Sequence, residues 1–300
     1  MQLFEPFATH PALFIACAVL IGLLVGSFLN VVIYRVPVMM EQALRAECAA
    51  LQGTDPADAP AKPAFNLWTP RSHCPSCKAP VTALQNIPVV SWFALGRKCA
   101  ACKTPISGRY PAVELATGLL TGFLAWHYGF GFAAFAAIVF TWFLIALAMI
   151  DFDTQFLPDQ LTYPLLWLGL LVSLAGPVWA EGAVPVTPRD SLIGAAAGYL
   201  SLWSIYWLFK LITGKEGMGY GDFKLYAALG AWLGWQMLLP VILFASGVGA
   251  LFGIVIMIRQ RRGKDTPMAF GPFLAIAGWL TLVFGHAAVS RYLGLFGSDL

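Results

Sequence analysis

The chain has 300 residues, of which 59% are hydrophobic and 11% charged, and its mean hydropathy is +0.74. Soluble domains carry about 25% charged residues, so this composition excludes an ordinary water-soluble globule and points to a membrane class with lipid as a partner. The formal net charge of +3 is too small to indicate nucleic acid.

Crossing a hydrocarbon core takes roughly 17 to 25 apolar helical residues. Eight stretches meet that need, over about 12–34, 111–128, 130–150, 161–178, 191–213, 223–239, 240–258 and 269–288. The last pair but one is parted only by a short break at Pro240. No Lys or Arg precedes the first stretch, and Arg35 is the first basic residue, which argues against a cleavable signal peptide and sets the N-terminus outside. With eight crossings, segments 35–110, 151–160, 214–222 and 259–268 share one side. Of the 18 Lys and Arg residues only Arg189 and Arg291 fall opposite, so the positive-inside rule puts the shared side in the cytoplasm. The short cluster Arg259, Arg261, Arg262 and Lys264 points the same way. The expected fold is an all-α polytopic membrane protein of about eight transmembrane helices with a cytoplasmic zinc-binding loop domain. Its parts are a first helix over 1–34, a four-cysteine domain over 35–110 and a seven-helix membrane domain over 111–300.

The loop 35–110 is the one sizeable polar region. Residues 49–66 are rich in Ala, Pro and Asp without helical or strand period and read as a linker. Beyond them stand Cys74-Pro-Ser-Cys77 and Cys99-Ala-Ala-Cys102, two CxxC pairs with 21 residues between. Thiolates at this spacing bind a tetrahedral ion from one side, and a second pair closes the shell, so Cys74, Cys77, Cys99 and Cys102 are the metal-ligand candidates and zinc the expected ion. The competing readings are structural disulfides, disfavoured in a reducing cytoplasm, and redox dithiols, for which one CxxC would suffice. A closed four-thiolate shell implies a structural role. Cys17, Cys48 and His73 are not expected to be ligands.

Two acidic clusters adjoin apolar helices, where an ionisable group is costly unless it has a task or reaches water. One is Asp151-Phe-Asp153-Thr-Gln-Phe-Leu-Pro158-Asp159, after the third stretch. The other is Gly217-Met-Gly219-Tyr-Gly221-Asp222-Phe-Lys224, before the sixth. Glycines here let the backbone approach a ligand closely, and Gly219, Gly221 and Lys224 are the substrate-binding candidates. Asp151 and Asp222 are 71 residues apart, and two carboxylates on one membrane face suggest an aspartyl hydrolase. One takes a proton from water while the other, protonated, polarises a scissile carbonyl. A helix C-terminus disfavours charge on Asp151 and a helix N-terminus favours it on Asp222. The plain alternative makes Asp222 an N-cap beside a glycine turn. A dinucleotide-binding loop is a poor reading, since no strand precedes the glycines.

These residues resemble the type IV prepilin leader peptidases, bifunctional membrane aspartyl proteases of the GxGD type. The likeness runs through Gly26-Ser-Phe-Leu-Asn30-Val-Val-Ile-Tyr-Arg35-Val-Pro37, both CxxC pairs, Gly108-Arg-Tyr-Pro111-Ala-Val-Glu114, Ile150-Asp151-Phe-Asp153, Leu157-Pro158-Asp159, Gly219-Tyr-Gly221-Asp222-Phe-Lys224 and Phe270-Gly271-Pro272. The resemblance implies that Asp151 and Asp222 are the catalytic pair. It implies cleavage of prepilin and pseudopilin precursors after a Gly at the cytoplasmic face of the bacterial inner membrane. The new N-terminus, usually Phe, would then be methylated from S-adenosylmethionine. The cysteine-bearing loop goes with methylating members of the family. Asn30, Arg35 and Glu114 are polar groups at helix ends, candidates for function or for anchoring.

Two other classes compete. An ion-coupled transporter also carries acidic groups at broken helices, but near the bilayer midplane and with an inverted repeat, which is not evident here. A non-catalytic zinc-binding scaffold accounts for the cysteines and leaves both aspartate clusters without a task.

Overall fold

The fold is a computed structural model, which describes residues 5–51, 65–175, 186–260 and 269–295. Most of the expected linker 49–66, most of the outer loop 178–190, and Arg261, Arg262 and Lys264 lie outside the described residues. The helices are α1 (Glu5–Thr9), α2 (Pro11–Leu51), α3 (Val90–Ala94), α4 (Arg109–Tyr128), α5 (Phe132–Thr154), α6 (Asp159–Leu174), α7 (Pro188–Thr213), α8 (Tyr220–Leu233), α9 (Leu238–Gln260) and α10 (Gly271–Leu295). Among the described residues no strand forms beyond two isolated bridges. Each of the eight apolar stretches is helical. Among the described residues four are long and apolar enough to cross a membrane, Pro11–Leu51, Phe132–Thr154, Pro188–Thr213 and Trp235–Val255, with Gly271–Gly285 a shorter apolar helix.

The chain forms two compact units, Met1–Gly129 and Phe130–Leu300. In the first, α2 and α4 pack antiparallel along small residues. A Cβ on Gly22 would stand 2.9 Å from the Gly118 Cα, and one on Gly26 2.7 Å from the Glu114 Cα. On the facing helix, Gly118 and Gly122 meet Leu23 and Val19. Glycines four apart on both helices let the backbones approach closely, the usual way to join helices where no hydrophobic drive operates. Helix α2 does not stop at the expected boundary of 34. It runs on to Leu51, 41 residues or about 60 Å, twice the hydrocarbon thickness.

In the second unit α8 is the central helix, packed by α6, α7 and α10. Every residue from Leu225 to Leu233 is buried, which is what an apolar helix without a polar face requires. It is 14 residues long, about 21 Å. Its close fit to α7 rests on Gly194 and Gly230, where a Cβ on either would fall 2.2 or 2.1 Å from the other's carbonyl oxygen. Ser191 Oγ donates to the Ala231 carbonyl at 2.6 Å, and Trp232 Nε1 to the Leu165 carbonyl of α6 at 2.7 Å. The break after α8 falls at Gly234, whose φ of +79° ends the helix, and not at Pro240. Pro240 lies in the first turn of α9, where the N–H it lacks has no helical partner anyway. Outward-facing Leu171, Leu200 and Leu243 are more than half exposed, as a lipid-facing surface requires.

Candidate active site and metal centre

The four cysteines converge within the first unit. Their sulfurs all lie within 4.8 Å of one another, with Cys74 Sγ 3.8 Å from Cys102 Sγ and Cys77 Sγ 4.0 Å from Cys99 Sγ. An ion holding four sulfurs tetrahedrally at about 2.3 Å sets them about 3.8 Å apart, so the cluster fits a tetrathiolate metal. Two copies of one turn build it. The Cys74 N–H donates to the Ala79 carbonyl and Lys78 N–H to the Cys74 carbonyl; Cys99 to Thr104 and Lys103 to Cys99 repeat both bonds. The isolated bridges His73–Pro80 and Lys98–Pro105 close the two turns alike. Lys78 and Lys103 each follow the second cysteine of a pair with φ of +60° and +61°. A left-handed residue without glycine marks a turn held by its surroundings. The sequence signal for these turns is the full Cys-x-x-Cys-Lys-x-Pro repeat, longer than the CxxC pairs alone.

Hydrogen bonds from the Thr104 hydroxyl and backbone pull the Cys102 thiol down to about 6. The Ala79 N–H pulls on Cys77 as well, but neighbouring Cys102, burial and the other two sulfurs outweigh it and push that thiol up to about 11. Crowded sulfurs share charge poorly without a cation between them. His73 Nδ1 lies 3.0 Å from the Arg71 carbonyl and takes no part in the cluster, nor do Cys17 and Cys48.

Asn30, Arg35 and Glu114 anchor polypeptide. Arg35 is buried, and its guanidinium donates to the Asn66 carbonyl at 2.7 Å and the Pro70 carbonyl at 2.5 Å while covering the Phe65 ring. Glu114 Oε2 accepts the Val89 N–H at 2.7 Å, and Asn30 Nδ2 donates to the Tyr110 carbonyl at 3.1 Å. Arg35 and Glu114 tie the segment between α2 and α4 to the helices that bracket it, and Asn30 ties α2 to the first turn of α4.

The aspartates converge within the second unit. Asp151 lies in the last turn of α5, 4% exposed, and its carbonyl accepts the Gln155 N–H. Asp222 is 8% exposed on α8, whose cap is Gly219, so Asp222 is three residues inside the helix and is not its N-cap. The two carboxylates are near enough for the charge on Asp151 to act on Asp222. Asp153, two residues on, is exposed.

The flanking residues take distinct places. Gly221 has its α-carbon against Leu157, where a Cβ would stand 2.8 Å from the Leu157 Cβ. At Gly219 a Cβ would meet nothing nearer than Asp222 Oδ2 at 3.9 Å. Lys224 Nζ is paired with both oxygens of Asp159, at 2.6 and 2.8 Å, and lies over the Tyr163 ring. One contact was not evident from the motifs: the Gly271 N–H, at the start of α10, donates to Asp151 Oδ2 at 2.9 Å. At Asp151 the C-terminus of α5 is therefore opposed by the N-terminus of α10, which favours the charge that α5 disfavours.

Residues 20–128 match the bacterial peptidase A24 N-terminal domain, and residues 138–254 match the type IV leader peptidase family. A prepilin leader peptidase/N-methyltransferase of Stutzerimonas stutzeri is 52% identical over 289 residues, covering 96% of this chain and 97% of that protein. Proteins with the same description are 50% identical in Pseudomonas aeruginosa, over 99% of both chains, and 48% identical in Neisseria gonorrhoeae, over 93% of this chain and 92% of that one. No solved structure matches the chain. With half of its residues shared over nearly its whole length, the chain belongs to the type IV leader peptidase family.

Proposed function

We propose that Asp151 and Asp222 are the catalytic pair with which this enzyme removes the leader from type IV prepilins and related pseudopilins. The chain is a bifunctional prepilin peptidase and N-methyltransferase: it cleaves the precursor and then methylates the new N-terminal amine. The observation that carries the assignment is a pair of buried carboxylates on separate helices, α5 and α8, near enough for the charge on Asp151 to act on Asp222. Ionising one of two interacting carboxylates disfavours ionising the other, so one carboxylate accepts a proton from water while the other donates a hydrogen bond to the scissile carbonyl. Water adds to the carbonyl, the tetrahedral intermediate collapses, and the leader leaves with its new carboxylate. No covalent enzyme intermediate forms.

Gly219 has open space over its α-carbon and is the better placed glycine to lie against an extended substrate backbone. Zinc suits the four-thiolate cluster of Cys74, Cys77, Cys99 and Cys102, where it would hold two otherwise core-poor turns together. S-adenosylmethionine supplies the methyl group. The charge distribution favours eight spans in the bacterial inner membrane, with both aspartates at the cytoplasmic face.

The test is purified protein in nanodiscs with a prepilin substrate, read by mass spectrometry for loss of the leader and gain of one methyl. Asp151→Asn and Asp222→Asn should each abolish cleavage, while a pilin supplied already cleaved is still methylated. Cleavage surviving in either variant removes the dyad assignment.

A further inference from the structure

The Phe270-Gly271-Pro272 segment opens α10, and no step above uses it. Its glycine is not demanded by backbone conformation, since Gly271 is not among the residues with positive φ. What demands it is space. A Cβ at 271 would stand 2.7 Å from Asp151 Oδ2 and 3.0 Å from its Cγ. The carboxylate therefore occupies the volume that any other side chain would need.

The contact is also fixed in register. Helices α5 and α10 pack antiparallel, and Trp279 Nε1 donates to Thr141 Oγ1 at 3.0 Å, two turns further along α10. That second bond and the 2.9 Å bond from the Gly271 N–H to Asp151 Oδ2 together set how far α10 slides along α5. The carbonyl of Phe270 accepts from Phe273 and Leu274, so the first turn of α10 is formed where it meets the carboxylate.

Resting on the reading of Asp151 as catalytic, we propose that Gly271 is a positioning residue for that aspartate. Its backbone N–H holds Oδ2, and its missing side chain leaves room for the carboxylate, so that Oδ1 is the oxygen presented to water and substrate. Displacing a reacting group by an ångström costs about 100-fold in rate.

The experiment uses the full chain in nanodiscs and a prepilin substrate. Gly271→Ala should lower kcat by about 100-fold with KM changed by less than about twofold, and should displace the kcat–pH profile. Gly247→Ala serves as the comparator, because its added Cβ, on α9, would meet no neighbour. It should keep kcat within about threefold and leave the profile in place. Glycolic acid built in at 271 by suppressor tRNA removes the N–H without adding a Cβ, and should cost kcat about tenfold or more. If the glycolate protein keeps the native kcat and pH profile, or if Gly271→Ala behaves like Gly247→Ala, Gly271 is only a packing residue and the proposal falls. Asp151→Asn run alongside separates the two ideas: full cleavage by that variant overturns the dyad itself, whereas its inactivity beside an unaffected Gly271→Ala overturns only the positioning.

Discussion

Lys224 and Asp159, 65 residues apart, form an ion pair that joins the first turns of α8 to the head of α6, two residues beyond Asp222. The ammonium reaches both carboxylate oxygens, and its side chain is 22% exposed against 44% for the aspartate. This pair fixes the start of α8, which carries Asp222, one of the two aspartates proposed as catalytic. A lysine so engaged meets a substrate only by giving up its partner.

Lys224→Met and Asp159→Asn should therefore lower cleavage to similar extents, and the double variant should be no worse than either alone. Because the pair is partly exposed, its coupling should be about 1 kcal/mol. Cleavage kinetics over a double-mutant cycle check this. Were Lys224 chiefly a substrate contact, Lys224→Met alone would raise KM and Asp159→Asn would leave it unchanged.

The two glycines of the Gly219-Tyr-Gly221-Asp222 motif should separate under substitution. Gly221→Ala forces a Cβ onto that of Leu157, an atom that cannot move without its backbone, so α8 must retreat and carry Asp222 with it. A kcat loss of about 100-fold is expected from that displacement. Gly219→Ala finds open space at ordinary contact distance, so the fold should accept it and the effect should appear in KM. Michaelis curves for the two alanine variants read the difference. Equal kcat losses would show that the motif acts as one turn.

Much of this was legible in the sequence because membrane helices and CxxC pairs announce themselves locally. All eight apolar stretches are helices, and the four cysteines meet as their spacing foretold. Boundaries were less legible. The continuation of α2 to Leu51 passes through Glu41, Arg45 and Glu47, polar residues that end an apolar window but not a helix. The break set at Pro240 belongs to Gly234, because proline is tolerated in a first turn and only a positive φ forces the chain to turn away. The partners of the motif residues were not legible at all. That Asp159 pairs with Lys224, that Leu157 fills the space beside Gly221, and that Gly271 reaches Asp151 are contacts between segments distant in the chain, and no local pattern encodes them.

The contact between α7 and α8 predicts a severe structural variant outside every motif. At Gly194 and Gly230 the opposing atoms are backbone carbonyls, which cannot yield as a side chain end can. Gly194→Ala or Gly230→Ala should destabilise by about 3 kcal/mol or more, at or beyond the upper end of ordinary overpacking. Thermal unfolding in detergent measures it, with Gly247→Ala as the control because its Cβ would meet no neighbour. Similar midpoints for all three would mean that the helices stand further apart than described.

The metal centre yields a prediction that distinguishes architecture from chemistry. Its two turns are built by the same hydrogen bonds, each supplies two sulfurs, and Arg35 and Glu114 hold the segment to α2 and α4 independently of any ion. Loss of one sulfur should therefore empty the site without unfolding the helices. Cys74→Ser and Cys102→Ser should each bring bound zinc from about one per chain to near zero by elemental analysis, since a structural zinc site needs all four ligands. Methylation should fall by more than cleavage in both variants. A strong chelator acting on the native protein should reproduce that imbalance, and added zinc should restore methylation only where all four cysteines remain. The backbone bonds that shape each turn survive the sulfur-to-oxygen change, so the missing ion, and not a collapsed loop, would be the cause. If both activities fall together, the cluster holds up the whole fold and has no special tie to methyl transfer.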